Sequence, residues 1–112
     1  MEYRRGDIVI IGFPFSDFSQ IKKRPALIIS NKRVNYTGDY LMVQITSKTH
    51  NDILSLPLNK ADFVNSKELP LQSFIRLHKI FLLNEKLIIS RNTAVNSDCL
   101  GSVFEKITEL IK

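Results

Sequence analysis

The chain lacks the features that stabilise or anchor several common classes of protein. It contains one cysteine, Cys99, and no tryptophan among its 112 residues. A single cysteine excludes an internal disulfide framework and a four-cysteine zinc site, and it is typical of a reducing compartment. No apolar run approaches the roughly 20 residues that a membrane-spanning helix needs, and residues 1–5 do not begin a secretion signal. We therefore expect a cytoplasmic protein.

The composition is that of a small globular protein with an excess of positive charge. Hydrophobic residues make up 44% of the chain, and 16 lysines and arginines stand against 11 acidic residues, for a formal charge of +5. This length predicts one domain, residues 1–112, with enough apolar content for a core. The charge favours a polyanionic partner, although many ordinary soluble proteins are equally basic.

Most of the chain has the residue pattern of β-strands. Runs rich in β-branched and aromatic residues predict five strands and a short sixth. Lys22 and Lys23 are assigned to a loop before the second strand, which Pro25 begins, because a strand start tolerates the missing N–H. The predicted strands cover residues 8–15, 25–29, 41–46, 53–58, 73–83 and 87–90. Residues 31–39 read as a polar loop, and residues 59–64 as one helical turn.

The end of the chain changes to a helical period. From Leu100 the apolar residues recur at the spacing of an amphipathic helix, with Ser97 as its predicted cap. We expect its apolar stripe to pack on the strands and to bury Cys99 nearby. Strands followed by one helix predict a mainly β fold, a small antiparallel barrel with a C-terminal α-helix.

Two polar residues stand at the edges of predicted strands. Arg24 immediately precedes the second strand, and Thr46 closes the third. A guanidinium fork binds phosphate in a bidentate way, and a hydroxyl can donate a further hydrogen bond to it. Taken alone, Arg24 is better explained as part of a solvated charge run, and Thr46 by its β-propensity.

Five segments, in this order, resemble the PemK/MazF toxins of type II toxin–antitoxin systems. They are residues 6–9 (GDIV), 13–15 (FPF), 24–27 (RPAL), 45–47 (ITS) and 73–80 (SFIRLHKI). The resemblance spans nearly the whole chain. It implies an SH3-like barrel, a homodimer, and sequence-selective cleavage of single-stranded RNA without a metal or other cofactor. Such cleavage of mRNA would inhibit translation and growth until an antitoxin neutralises the toxin.

The implied reaction uses the 2′-hydroxyl of the RNA, which attacks the adjacent phosphorus and leaves a cyclic phosphate and a 5′-hydroxyl. We expect Arg24 to stabilise the charge that builds on the phosphoryl oxygens, because its guanidinium stays charged at any working pH. Thr46 matches the threonine of the family and would orient the phosphate, with Ser47 in support.

The fifth strand offers further candidate catalytic groups, Arg76 and His78, for which a place in the dimer interface or on the surface is an equal alternative. Period-2 alternation would place Arg76 and His78 on one face, about 6.5–7 Å apart. Arg76 matches an arginine of PemK-like members, whereas His78 stands where the family usually has a carboxylate and Lys79 where it usually has glutamine. We predict that His78 takes the role of proton acceptor.

The RNA is expected to lie on two loops, with Lys and Arg contacting phosphates and an exposed Phe stacking on a base. Nine residues are the predicted substrate contacts: Phe18, Ser19, Gln20, Lys22, Lys23, Ser47, Lys48, His50 and Lys79. The resemblance also implies an antitoxin with an acidic segment that folds along the same cleft. We expect the dimer to contain the last helix or neighbouring strands.

Two other functions stay open from the sequence. A plain SH3-like adaptor or nucleic-acid binder, or a degenerate toxin altered at His78 and Lys79, would bind without cutting, because fold does not determine function. A gyrase inhibitor like the CcdB toxins shares the barrel, but those toxins use a C-terminal Trp-Gly-Ile. This chain has no tryptophan and ends Glu-Leu-Ile-Lys.

Overall fold

The computed structural model describes residues 2–14 and 21–112. Its elements are six strands, two α-helices and three short 3₁₀ helices. The strands are β1 (Asp7–Pro14), β2 (Ile21–Ile28), β3 (Asp39–Thr46), β4 (Ser55–Leu58), β5 (Ser73–Asn84) and β6 (Ile88–Ala94). The helices are α1 (Lys32–Asn35) and α2 (Ser97–Ile111), and the 3₁₀ turns span Lys60–Asp62, Val64–Ser66 and Glu85–Leu87. The predicted mainly β fold with a C-terminal helix is confirmed.

The strands form one antiparallel sheet in the order β4-β5-β3-β2-β1-β6. The segments that follow the two outer strands meet, because Phe63, after β4, forms an antiparallel bridge with Val95, after β6. This bridge brings the two edges of the curved sheet together, as closure into a barrel requires.

Both faces of the sheet carry buried apolar side chains, because neighbouring residues of a strand point to opposite faces. On β1, Ile8 belongs to one cluster and Val9 to the other. The first cluster extends to Cys99 and Val103 of α2, while the second extends to Tyr40. The predicted packing of the last helix on the strands is therefore confirmed.

The second strand is longer than predicted, and the assignment of Lys22 and Lys23 to a loop is wrong. Both residues lie in β2, opposite Phe13 and Gly12 of β1. Pairing of β2 with β3 begins only at Ala26, so the preceding residues are paired with β1 alone. The side chains of Lys22 and Lys23 are exposed there, so their charges stay in contact with water.

The predicted alternation along β5 is wrong around Arg76. Ile45 of β3 pairs with Ile75 and Val43 pairs with Ile80, so four residues of β5 lie opposite Gln44 alone. Such a bulge bends the strand and interrupts the period of two. Residues 75–77 are consequently buried in succession, and residues 78–80 are exposed in succession.

The remaining differences concern the ends of elements and one short helix. Asn96, not Ser97, caps α2, and its side chain accepts a hydrogen bond from the N–H of Cys99 at 2.9 Å. The predicted polar loop at residues 31–39 contains α1, and the sixth strand is longer than expected because it pairs with β1 along most of its length. No helix in the described part of the chain is long and apolar enough to cross a membrane.

The Gly6-Asp7 motif has a structural role at the start of β1. Gly6 has φ +98°, which favours glycine. Asp7 is buried, and its carboxylate accepts hydrogen bonds from the backbone N–H of Arg4 and from Nε of Arg91, each at 2.9 Å. These bonds fasten the N-terminal segment to β6.

Candidate functional site

A cavity of about 310 Å³ lies where β3 ends, beside the part of β2 that β3 does not pair with. Its polar lining comes from four strands and the residue after β3: Lys23, Arg24, Thr46, Ser47, Ser73 and Asn92. The cavity therefore brings together Arg24 and Thr46, the two residues at strand edges that the sequence suggested for binding a phosphate.

Arg24 is half-buried and pairs through its backbone with Ile11 of β1. Within residues 2–14 and 21–112, no hydrogen bond or ion pair engages its guanidinium. A cation in a cavity without a protein partner is suited to an anionic ligand, since the ligand can use all the donors of the fork.

Thr46 is the last residue of β3 and is only 7% exposed. Its Oγ1 accepts a hydrogen bond from the backbone N–H of Lys48 at 3.1 Å. This bond orients the side chain and leaves the hydroxyl hydrogen to be donated to a ligand in the cavity. Ser47 follows it on the exposed side of the cavity lining.

Arg76 has a different environment, and it does not line this cavity. Its Nη1 donates to Asp52 Oδ1 at 3.0 Å and Oδ2 at 3.2 Å, and to Ser55 Oγ at 2.8 Å. The arginine is buried, whereas the Asp52 side chain is 38% exposed. The hydrogen bond from Arg76 is the main reason that the pKa of Asp52 is lowered. The pair fixes the loop at residues 47–54, which follows Thr46.

His78 and Lys79 are both exposed and lie in the bulge of β5. Neither belongs to the lining of the cavity. Their outward direction follows from the three extra residues in β5, which the predicted alternation did not include.

The other predicted RNA contacts divide by location. Lys23 and Ser47 line the cavity, and Lys22 is exposed on β2. Lys48 and His50 are exposed in the loop after β3. Three predicted contacts lie outside the described residues: Phe18, Ser19 and Gln20.

Asn92 is a cavity residue that sequence reasoning missed. Ile8 and Val9 are adjacent in β1, yet they pair with Thr93 and Arg91 of β6, so Asn92 is the extra residue of a bulge. Bulges redirect side chains, and the half-buried Asn92 side chain lines the cavity with no hydrogen bond to another described residue. No local sequence signal marks it, because a bulge depends on the register with another strand.

The segment before β5 completes the cavity. Leu69, Pro70 and Leu71 line it, and Leu71 is 66% exposed. Ser73 Oγ donates to the carbonyl of Leu71 at 2.8 Å and holds this wall in place. The described residues contain no group of three or more His, Cys, Asp or Glu side chains that could hold a metal ion.

The chain matches the model of a known protein family. A model of PemK-like, MazF-like toxins of type II toxin–antitoxin systems matches residues 4–111. The chain belongs to this toxin family. The resemblance inferred from the five motifs is therefore confirmed, whereas a comparison with curated protein sequences finds no match.

Solved structures share the fold. A MazE–MazF crystal structure (Form-II) from Deinococcus radiodurans contains a chain with a TM-score of 0.79 and 20% identity, over 98% of this chain and 97% of that one. An endoribonuclease in complex with its cognate antitoxin, from a mycobacterial species, has a TM-score of 0.73 and 16% identity, with 99% of each chain covered. A further mycobacterial endoribonuclease has a TM-score of 0.74 and 17% identity, over 96% of this chain and 88% of that one.

Proposed function

We propose that this toxin is a metal-independent, sequence-selective endoribonuclease that cleaves single-stranded mRNA and so inhibits translation. The observation that carries the proposal is the convergence of Arg24 and Thr46 on one cavity, where the guanidinium has no partner among the described residues. Endoribonucleases are among the solved structures with this fold, which supports the same conclusion.

The proposed reaction begins when the 2′-oxygen of the RNA attacks the adjacent phosphorus. The bond from phosphorus to the 5′-oxygen breaks, and the products are a 2′,3′-cyclic phosphate and a 5′-hydroxyl. Arg24 stabilises the charge on the phosphoryl oxygens, and such preorganised electrostatic stabilisation is commonly the largest contribution to catalysis. Thr46 donates its hydroxyl to a phosphoryl oxygen, while Ser47 supports the phosphate from the cavity edge.

The proton acceptor must come from outside the described lining of the cavity. The polar groups there are hydroxyls, an amide and two cationic side chains, and they include no carboxylate or imidazole. We propose His78 for this role, because an imidazole nitrogen can accept a proton and this side chain is exposed on the bulge of β5. The proton lost by the 2′-hydroxyl goes to His78, and the leaving 5′-oxygen takes a proton from water.

Arg76 acts in this proposal as a positioning residue. Its bonds to Asp52 and Ser55 hold the loop that begins beside Thr46. The loop presents Lys48 and His50 to solvent, where they are placed to contact RNA.

Asn92 would read a base next to the scissile phosphate. Its amide offers a donor and an acceptor, the pair that asparagine uses to recognise base edges. Pro70 and Leu71 provide an apolar wall against which a splayed base can pack. Sequence preference therefore depends in part on the bulge in β6.

We further propose that the toxin acts as a homodimer in the cytoplasm and is neutralised by an acidic antitoxin. The MazE–MazF structure and the mycobacterial endoribonuclease with its cognate antitoxin are complexes that contain a chain of this fold. They support such a partner. An acidic segment that occupies the cavity would neutralise Lys23 and Arg24 and exclude RNA.

The first experiment incubates the purified toxin with a long, weakly structured RNA in EDTA and maps the new 5′ ends. The Arg24→Ala variant is the control. Discrete cuts that end in a 5′-hydroxyl and disappear in the control are the expected result. Intact RNA with binding retained would overturn the nuclease proposal in favour of a non-catalytic binder.

A further inference from the structure

A second cavity, which we call the tyrosine groove, lies between residues 2–5 and 31–36. Its volume is about 650 Å³, roughly twice that of the cavity at Arg24. Four cationic side chains line it, those of Arg4, Arg5, Lys32 and Arg33. The carboxylate of Glu2 and the ring of Tyr36 also belong to the lining. The groove therefore has a strong excess of positive charge.

Local bonds hold the cationic walls in place. The backbone N–H of Arg4 donates to buried Asp7, and that of Arg33 donates to the side chain of Asn31 at 3.0 Å. Arg5 lies over the ring of Phe104 in α2, 5.6 Å from its centroid. Among the described residues, the side chains of Arg4, Lys32 and Arg33 form no ion pair. Three cations are thus available to a ligand, two of them on backbone that local hydrogen bonds hold in place.

The tyrosines divide between support and exposure. Tyr3 and Tyr40 are buried and pack edge to face, with ring centroids 5.9 Å apart. Tyr36 is 75% exposed, although aromatic rings are usually covered. An exposed ring beside unpaired cations is the combination that binds single-stranded nucleic acid, since each base can stack and each phosphate can pair.

The tyrosine groove lies at the opposite end of β2 from the cavity at Arg24. From Arg24 to Ile28 the strand spans about 13 Å, and Asn31 at the groove follows three residues later. The two sites are therefore separate, but a single RNA strand of several nucleotides can reach both.

We propose that the tyrosine groove is a second binding surface for single-stranded RNA, which holds nucleotides flanking the cleaved phosphate. This inference rests on the proposed nuclease function, because the RNA would reach the groove from the cavity at Arg24. A folded peptide segment is the less favoured occupant. The side chains described as lining the groove include no Leu, Ile, Val, Met or Phe, whereas peptide interfaces are anchored by apolar side chains in pockets.

The test compares 2′-O-methyl RNA of about 3 and about 20 nucleotides, one shorter and one longer than the roughly 4–16 nucleotides that single-strand binders cover. This RNA has no 2′-hydroxyl to attack, so binding is measured without cleavage. The variant is Lys32→Ala/Arg33→Ala/Tyr36→Ala. Its matched control is Lys60→Ala/Lys106→Ala, which removes two exposed cations that line neither cavity. Thermal unfolding checks that each variant is folded.

We expect the groove variant to bind the long RNA at least about fivefold more weakly, the minimum effect of losing one stacked base. The slope of log affinity against log salt should fall by about 1.4, because two phosphate contacts are lost. The groove variant should bind the short RNA like the wild type. The control variant should bind RNA of both lengths like the wild type.

Three outcomes would overturn the proposal. The groove variant binds long RNA like the wild type, or loses affinity for both lengths equally, or binds RNA normally but loses affinity for the antitoxin. The last result would assign the groove to an acidic protein segment. Failure of the nuclease proposal gives a different result: the wild-type protein leaves unmodified RNA intact.

Discussion

Two arginines near the end of β3 have opposite environments. Arg24 lines an open cavity, and its guanidinium has no described partner, whereas Arg76 is buried and bonded to Asp52 and Ser55. An unpartnered guanidinium can bind and stabilise an external anion, while a paired and buried one holds chain segments together. The same residue type is thus available to a ligand in one region and bonded within the fold in the other.

The largest effect should come from the open cavity. Arg24→Ala should lower the rate of RNA cleavage by about 10²–10³, the usual cost of removing one transition-state donor. Arg24→Lys should recover part of the rate, since the charge remains but the fork is lost. The thermal midpoint should not change. Single-turnover cleavage assays and thermal unfolding measure the two quantities, and an equal loss for Arg76→Lys would abolish the distinction between the arginines.

His78→Gln tests whether the exposed side of the β5 bulge takes part in the chemistry. Removal of a proton acceptor should lower cleavage by about 10², with little change in RNA affinity. The matched control is Lys79→Gln at the neighbouring predicted RNA contact, which should weaken RNA affinity but keep the cleavage rate at saturating RNA. A His78→Gln variant with full activity would remove this histidine from the mechanism.

Asp52→Asn removes the negative charge that pairs with Arg76 and keeps a side chain of similar size. The loop after Thr46 should loosen, and KM should rise roughly tenfold because remote misplacement is costly in a positioned site. The thermal midpoint should fall. The pair lowers the pKa of Asp52, so its contribution to stability is present above the ordinary carboxyl pKa and is lost as the pH falls below it. Acid unfolding of the wild type and of Asp52→Asn measures this contribution. Curves of the same shape would show that the pair does not contribute to stability.

Asn92→Ala extends the comparison to base recognition in the open cavity. Discrimination between cleavage sequences should weaken by about tenfold at one position, within the range of a base-reading amide. Mapping of 5′ ends across a randomised RNA measures this change. The exposed β6 residue Ser90 supplies the control in Ser90→Ala, and an unchanged cleavage pattern in Asn92→Ala would exclude Asn92 from recognition.

The smallest effect concerns Cys99, which is buried in the first turn of α2 and lines neither cavity. Burial raises the pKa of this thiol from 9.0 to about 11. Because the folded pKa is the higher one, the unfolded chain loses its proton first, and stability should decline between those two pH values. Cys99→Ala should remove this alkaline component. Denaturant unfolding at pH 8 and near pH 11 measures it, with RNA cleavage unchanged at pH 8.

Much of the fold follows from local patterns. Runs of β-branched residues located all six strands, and the apolar period located α2, because both signals act within a few residues. Lys22 and Lys23 were misplaced because their strand character depends on pairing with β1, which no local window contains. The family was recognisable from five short motifs in order.

The site was only partly predictable for the same reason. Arg24 and Thr46 could be singled out as strand-edge residues, and the structure brings them to one cavity. The ion pair of Arg76 with Asp52 joins residues 24 positions apart and follows from no periodicity. The predicted common face of Arg76 and His78 failed because a bulge intervenes.

The sequence by itself determined the order of strands and helix, the excess of positive charge and the chemical groups available for binding a phosphate. The tertiary structure decided which of these groups meet. Registers between strands are long-range properties, and an extra residue in one strand changes which side chains share a face. The bulges in β5 and β6 therefore decided that Arg76 is buried against Asp52 and that Asn92 lines the cavity with Arg24.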